Sequence, residues 1–416
     1  MQSNLVLKPA SVRHNNYRSI LLTIRAKGIC TVGDIADELG LSKTAVFKAL
    51  LRLTEQGFVM SAGKGSSTAT GGKPPENYCI NPNCRYTCTI SFYHDIIIAH
   101  IHNFMGEKIH QTSFPLPDNT STISKEETID LCAQWISQAL SFCNLTPSQL
   151  CGIVVMHDNE VSRQDPMYHF IKNPQLFPLF KKMLSEKLNI SDVIHIGHSK
   201  DMRGYAELHT GEDRKKKLVV IVSVLKEEVT GCILHYGSIL HGSAGTAADF
   251  AHITTDYALR NQCTCGRRGC FASAVLKNHI LKGISRELKA GSPSILQESF
   301  INQSLNMVEV VNAVELGDEL AKRHMDIVLD NYIHLLYNIY MTLNPDEIVL
   351  QVGSHGQAFH ERELNQRFRE LNLPKQAFKD VLKISTSHIE PFKATSIGAA
   401  HYCIDQYLDN PNCFEA

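Results

Sequence analysis

No apolar run in this chain approaches the roughly 18 residues that cross a bilayer. Its first sixteen residues, Met1 to Asn16, are polar and lack the apolar stretch of a secretion signal. Neither membrane insertion nor export is expected. A paired-cysteine pattern is also missing. The 13 Cys are odd in number and scattered, which argues against a disulfide scaffold and for reduced thiols in the cytoplasm. With one Trp and 7% aromatic residues, aromatic content separates no function classes. Net charge is almost absent at −1, so the chain as a whole does not resemble a nucleic-acid binder.

What is present is length and asymmetry. The 416 residues exceed one ordinary core, and a prior of roughly 150 residues per domain gives two or three units. Hydrophobic residues at 43% and charged residues at 20% fit a folded globular chain without a dominant disordered tract. Residues 1–85 carry 11 Lys+Arg against 5 Asp+Glu, whereas the remainder carries 30 against 37. A basic head on an acidic body is expected where only the head meets phosphate.

The head has helical periodicity. Ile20, Leu21, Ile24 and Ala26 recur at helical spacing between Tyr17 and Lys27, and Val32, Ile35, Ala36 and Leu39 form a second stripe. Gly40-Leu41 makes a turn. Ser42 is a good N-cap for a third helix, whose buried face is Val46, Leu50 and Leu53 and which Gly57 ends. This spacing predicts a helix-turn-helix whose last helix enters the major groove. Lys43, Thr44, Phe47 and Lys48 point away from the stripe and, with Ser42 at the cap, are the candidate DNA contacts. Phe58 to Met60 and Tyr78 to Ile80 read as two strands around a Gly/Ser/Thr-rich tip, a wing carrying Gly71-Gly72-Lys73-Pro74-Pro75. Gly72, Lys73 and Pro74 suit insertion into a narrow minor groove; a plain exposed hairpin tip is the alternative. Asn81-Pro82-Asn83 reads as a linker, which puts the DNA-binding domain at 1–82 and the body at 83–416.

The body alternates strand-like and helical runs. Strands are expected at 87–92, 96–101, 152–156, 193–196, 218–225, 231–235, 348–352 and 381–384, with helices at 128–143, 272–289, 318–342 and 395–408. Such alternation implies a mixed sheet covered on both faces. Residues 289–306 give no regular pattern.

The most specific motif is Cys263-Thr264-Cys265-Gly266-Arg267-Arg268-Gly269-Cys270, with His252 upstream. Three Cys within eight residues, with glycines permitting tight turns, can converge on one ion. Adding His252 gives a Cys3His set, closed to water and therefore structural, for which zinc is the expected cofactor. Chance clustering of small buried thiols is the alternative.

These motifs together resemble the ROK family (repressors, open reading frames, kinases). The resemblance is carried by GGKPP after the helix-turn-helix, LHGSAGTAADFAH running into CTCGRRGC, and the closing ATSIGAAHYCIDQYL. It implies an α/β fold: an N-terminal winged helix-turn-helix plus an actin/hexokinase-like, two-lobed α/β body with a zinc knuckle at 252–270. It also locates departures. Where the family's kinases have a Gly-rich, Asp-containing phosphate loop, this chain has Thr89 to Asp95 with Ser91 at the Asp position. The second phosphate segment corresponds to Leu225 to Gly231, which keeps one Gly and gains two acids. Backbone amides cannot cradle a phosphate there. Counting back from Ala206-Glu207 puts Ser199 at the catalytic Asp, and a serine hydroxyl is too weak a base to deprotonate a sugar. The sugar-binding Glu-x-Gly-His is Asp249-Phe250-Ala251-His252 here, and Ala272 replaces the Glu that follows the zinc motif.

No catalytic residue is therefore expected. The implied function is a transcriptional regulator, a repressor of carbohydrate-related genes, acting on a double-stranded DNA operator as a dimer or tetramer. A sugar or sugar-phosphate effector would have Asn173, His198, Asp249 and His252 as candidate contacts; loss of the pocket to structural core is the alternative. An active sugar kinase with a regulatory head, and a regulator controlled by a partner protein, are the rival readings.

Overall fold

The computed structural model describes residues 9–65, 74–93, 96–116, 123–157, 166–190, 193–210, 214, 217–225, 228–243, 245–353, 356–371 and 382–414. Among them no helix is long and apolar enough to cross a membrane. The chain divides into two compact units, residues 1–199 with 399–416, and residues 200–398.

The first unit begins with α1 (Pro9–Lys27), β1 (Cys30–Thr31), α2 (Val32–Leu39), α3 (Lys43–Glu55), β2 (Val59–Lys64) and β3 (Glu76–Ile80). Helix α1 starts well before the expected Tyr17. Pro9 stands at its first position, where a missing N–H costs nothing. Thr31 caps α2 in a reciprocal box with Asp34, and the Ser42 hydroxyl caps α3 by accepting from Ala45 N at 3.2 Å. The three strands pair in the order β1-β3-β2. Asn81, expected in a linker, is tied down: its side chain donates to Gly57 O at 2.9 Å and its N–H to Phe58 O.

The unit continues with β4 (Tyr86–Tyr93), β5 (Ile96–Asn103), β6 (Lys108–Pro115), α4 (Lys125–Ser141), β7 (Leu150–His157), α5 (Tyr168–Ile171), α6 (Phe177–Leu188) and β8 (Ile194–His198). The sheet order is β6-β5-β4-β7-β8, with β4, β5 and β6 antiparallel and β4, β7 and β8 parallel. Cys88, Ile90, Ile97, Ala99 and Ile101 enter a core with Ile129, Trp135 and Ile136 of α4 and Phe180 and Leu184 of α6.

The second unit holds α7 (Ser199–Thr210), β9 (Leu218–Val224), β10 (Val229–His235), β11 (Ser238–Ile239), α8 (Phe271–Val275), α9 (Lys277–Lys289), α10 (Gln297–Ile301), α11 (Met307–Glu315), α12 (Glu319–Leu343), β12 (Glu347–Gln351), α13 (Gln357–Glu370), β13 (Lys383–Thr386) and α14 (Pro391–Asp409). The unit boundary falls at the second residue of α7 and within α14. The sheet order is β11-β10-β9-β12-β13, again three antiparallel strands followed by two parallel ones. In chain order both sheets read 3-2-1-4-5, so the two lobes repeat one topology. The helix expected at 272–289 is broken at Leu276, which is extended (ψ 132°) and separates α8 from α9.

A buried polar cluster fastens the second unit. Arg214 donates to Glu347 at 3.0 and 3.1 Å and pairs with Glu207; Ser385 donates to Glu347, and Ser387 and Gln351 donate to Glu207. Both carboxylates are almost inaccessible. Burial works against ionisation of Glu347, but hydrogen bonds from Arg214 and Ser385 outweigh it and hold the pKa down to about 2. Arg214→Met strands two buried carboxylates and is expected to cost about 3–5 kcal/mol of stability, read as a fall in melting temperature. Because the folded pKa of Glu347 is depressed, its contribution should be complete above the ordinary carboxylate range and disappear as pH falls toward 2; acid titration of unfolding checks the sign.

Candidate functional sites

Helix α3 buries Val46, Ala49, Leu50 and Leu53, and this leaves Lys43, Thr44, Phe47 and Lys48 on its exposed face. Phe47 is 46% exposed, although nothing in the fold requires an aromatic ring in water there. Neither lysine forms an ion pair among the described residues. Ser42 is exposed, but its hydroxyl serves the cap. At the base of the wing Gly65 N donates to Pro75 O at 2.8 Å, and Pro74 is half-buried. Gly72 and Lys73, the expected wing contacts, lie outside the described residues.

His252, Cys263, Cys265 and Cys270 are brought together in the second unit, with all four ligand atoms within 4.8 Å of one another. Bonds of about 2.3 Å to sulfur and 2.0–2.1 Å to nitrogen give tetrahedral edges of ~3.8 Å for S···S and ~3.5 Å for S···N. Cys265 Sγ lies 3.7 Å from Cys270 Sγ, and Cys263 Sγ lies 3.5 Å from His252 Nδ1. These two opposite edges have the lengths a tetrahedral site would need, and the sequence motif supplies all four donors.

Local chemistry builds this site. Cys263 N donates to Arg267 O and Gly266 N to Cys263 O, closing the knuckle. Gly269 has φ +79°, and a Cβ there would sit 2.5 Å from Asp256 O, so only glycine fits. The donors differ in ionisation. The backbone amide of Arg267 holds the exposed Cys265 thiol below its ordinary range. Burial, with help from the neighbouring thiols, pushes Cys270 up to about 12.

The two positions that the sequence resemblance sets against kinase carboxylates carry hydroxyls. Ser199 is buried, and its hydroxyl donates to His157 O at 3.3 Å. Ser91 is buried on β4. Of the second phosphate segment, Lys226 and Glu227 lie outside the described residues; Glu228 pairs with Arg203 at 2.9 Å. The effector candidates divide between units. In the first, Asn173 donates to His169 O, and the His198 ring meets His157 edge-on at 4.8 Å. In the second, Asp249 is exposed at the start of a 3-10 turn whose end is His252.

Two features were not legible beforehand. One is Lys200, 5% exposed, which donates to the carbonyls of Gly245 and Ala247. The other is the packing of residues 401–414 against the head, where partners lie more than 350 positions apart.

The ROK family profile matches residues 97–404, and a winged helix-turn-helix DNA-binding profile matches residues 16–60. Over 404 residues the chain is 22% identical to the xylose repressor of Bacillus subtilis (strain 168), covering 96% of this chain and 97% of that protein. Among solved structures, a ROK family transcriptional regulator homologous to the E. coli MLC protein superposes with a TM-score of 0.75 at 19% identity, over 97% of this chain and 98% of the other. The ROK hexokinase of Thermus thermophilus superposes with a TM-score of 0.55 at 14% identity, over 76% of this chain and 96% of that one. The winged head and the two-lobed α/β body expected from sequence are therefore the fold, and the match across most of its length makes this chain a member of the ROK family.

Proposed function

We propose that this protein is a cytoplasmic transcriptional regulator, a repressor of carbohydrate-related genes, whose residues 1–82 bind an operator. In this reading the ROK-type body, residues 83–416, serves dimerisation or tetramerisation and effector sensing and has no catalytic role. The observation that carries the reading is the outer face of α3, where Lys43, Thr44, Phe47 and Lys48 stand exposed while the opposite face is core. The lysine and threonine side chains have the donors for phosphates and base edges, and the Phe47 ring can make apolar contact. Similarity to a xylose repressor over nearly the whole chain supports the direction of regulation and a sugar-type effector. A two-fold assembly would match two heads to a palindromic operator, and an effector that favours a body geometry with mismatched heads would release it.

The ROK family also contains kinases. Against that role stand Ser91 and Ser199, neither of which can bind magnesium as a carboxylate or act as a general base. ATP calorimetry at millimolar concentration should show no saturable binding; clear saturation would return the kinase to contention.

Lys43→Ala with Lys48→Ala is the direct test of the head. Fluorescence anisotropy on an operator duplex should show weaker binding and a salt slope flatter by about two units, roughly one for each phosphate that is no longer neutralised. An unchanged slope would move the DNA-binding surface off α3.

The Cys3His set is read as a structural zinc site, with His252 ligating through Nδ1. It leaves no open position for a reacting water. Elemental analysis should find about one zinc per chain, as a single four-ligand site requires, and Cys265→Ser should lose the metal and stability together. Metal affinity should fall on acidification, because each thiol must ionise to bind.

A further inference from the structure

The head does not end its core within its own 80 residues. Ile20, Leu21 and Ile24 of α1, Leu50 and Leu53 of α3, and Phe58 at the entry to the wing share one apolar cluster with Ile404 and Leu408 of α14, Cys413 and Phe414. Two helix faces are complementary in charge as well. On α1, Arg18 and Arg25 are seven residues apart and lie on one side. On α14, His401, Asp405 and Asp409 are spaced by four and also share a side. They meet as an antiparallel ladder: Arg18 pairs with Asp409 at 2.5 Å, and Arg25 pairs with Asp405 at 3.4 Å and with His401. The Arg25 and Asp405 side chains are only 9% and 13% exposed, so this rung is shielded from salt.

Phe414 closes the assembly. Its ring is 6% exposed. It lies 5.3 and 5.5 Å from the rings of His14 and Tyr17 on α1, and 5.6 Å from Phe58. Its carbonyl accepts from Gln56 Nε2 at 2.6 Å, and Gln56 is the C-cap of α3. One residue thereby touches α1, the end of α3 and the entry to the wing, the three parts whose mutual angles decide how α3 meets a groove. Asn410 prepares the approach: its carbonyl accepts from Cys413 N, and its side chain accepts from Asn412 N.

We infer that residues 401–414 are a positioning element for the DNA-reading helix, with Phe414 as its keystone and the Arg18/Arg25–Asp405/Asp409 ladder as its brace. The inference rests on the reading of α3 as the DNA-contacting helix. It assigns a role in operator recognition to side chains that touch no DNA.

The test compares the full-length wild type with Phe414→Ala, Phe414→Tyr and the double variant Asp405→Asn/Asp409→Asn. Hydrogen exchange is measured first, without DNA. Phe414→Ala should speed exchange of the α3 and β2 amides and leave the β9–β12 amides of the second unit unchanged, and Phe414→Tyr should restore protection. The duplex used next is one that the wild type selects from a random pool. Phe414→Ala should raise its Kd about tenfold, an effect of about 1.4 kcal/mol. It should also discriminate less against the same duplex carrying two extra base pairs at its centre, a property that loss of global stability alone would not alter. The double Asn variant keeps every ring and all the head's own residues; it should show the same pattern at lower amplitude, and it decides the matter if Phe414→Ala does not fold. Unchanged α3 exchange and unchanged Kd in a folded variant overturn the inference. Faster α3 exchange in a chain whose wild type selects no DNA would uphold the positioning role and instead refute the DNA-binding reading.

Discussion

Helix α14 can lie against the first unit's sheet only because residue 152 is glycine. A Cβ at Gly152 would stand 2.4 Å from the Cβ of Cys403, well inside van der Waals contact. That close approach seats the C-terminal half of α14, and the seat in turn presents Ile404, Leu408 and the Asp405 and Asp409 carboxylates to the head. A winged helix of this size has a small core of its own, since small domains bury a lower fraction of their surface. The apolar side chains it lacks come from a segment nearly 400 residues away in sequence.

The body has the fold of the ROK hexokinase on which it superposes. A phosphoryl-transfer site needs carboxylates that bind metal and accept a proton, held where water is excluded. At the positions that the sequence resemblance sets against those carboxylates this chain has Ser91 and Ser199, and the Ser199 hydroxyl is already engaged with a backbone carbonyl. Buried carboxylates brace the second unit's sheet. Glu207 and Glu347 share Arg214, and Ser223 donates to Gln351 at 2.6 Å, joining β9, β12 and β13 through side chains as well as through the backbone ladder. Such a cluster is tolerable because each carboxylate has its donors; with one partner removed, the same low dielectric that strengthens it becomes a penalty.

What could be read in advance was local. The Ser42 cap, the 46-50-53 stripe and the Cys-x-Cys-Gly-x-x-Gly-Cys knuckle each encode their geometry within one or two turns of chain, and each fell where expected. Several of the elements that escaped were polar or interrupted. Strand β6 (KIHQTSFP) is an edge strand with every residue at least partly exposed, so it lacks the apolar signal of its neighbours. Helix α7 carries Gly204 in its interior, a residue that lowers helix propensity, yet a Cβ there would meet Cys232 Sγ at 2.4 Å. Tertiary contact selects the glycine against local preference. The break at Leu276 likewise has no local cause in the sequence: LKNHILKG is good helical pattern throughout. Phe414 was beyond reach altogether, because nothing in PNCF announces which rings it will meet.

The thiols sort by the same logic of environment. Burial pushes Cys84, Cys88 and Cys413 up to about 12 and raises Cys151, Cys232 and Cys403 further, so these side chains act as small hydrophobes. Cys265 differs on both counts that govern thiol reactivity: it is exposed, and the Arg267 amide favours its thiolate. A soft cation entering the proposed site would meet this exposed thiol first, at the outer corner of the knuckle. The deeper Cys270, whose proton is held more tightly, would have to lose it against burial, with the cation's own charge offsetting that cost. Depth and one backbone N–H thus set Cys265 apart from the buried thiols around it.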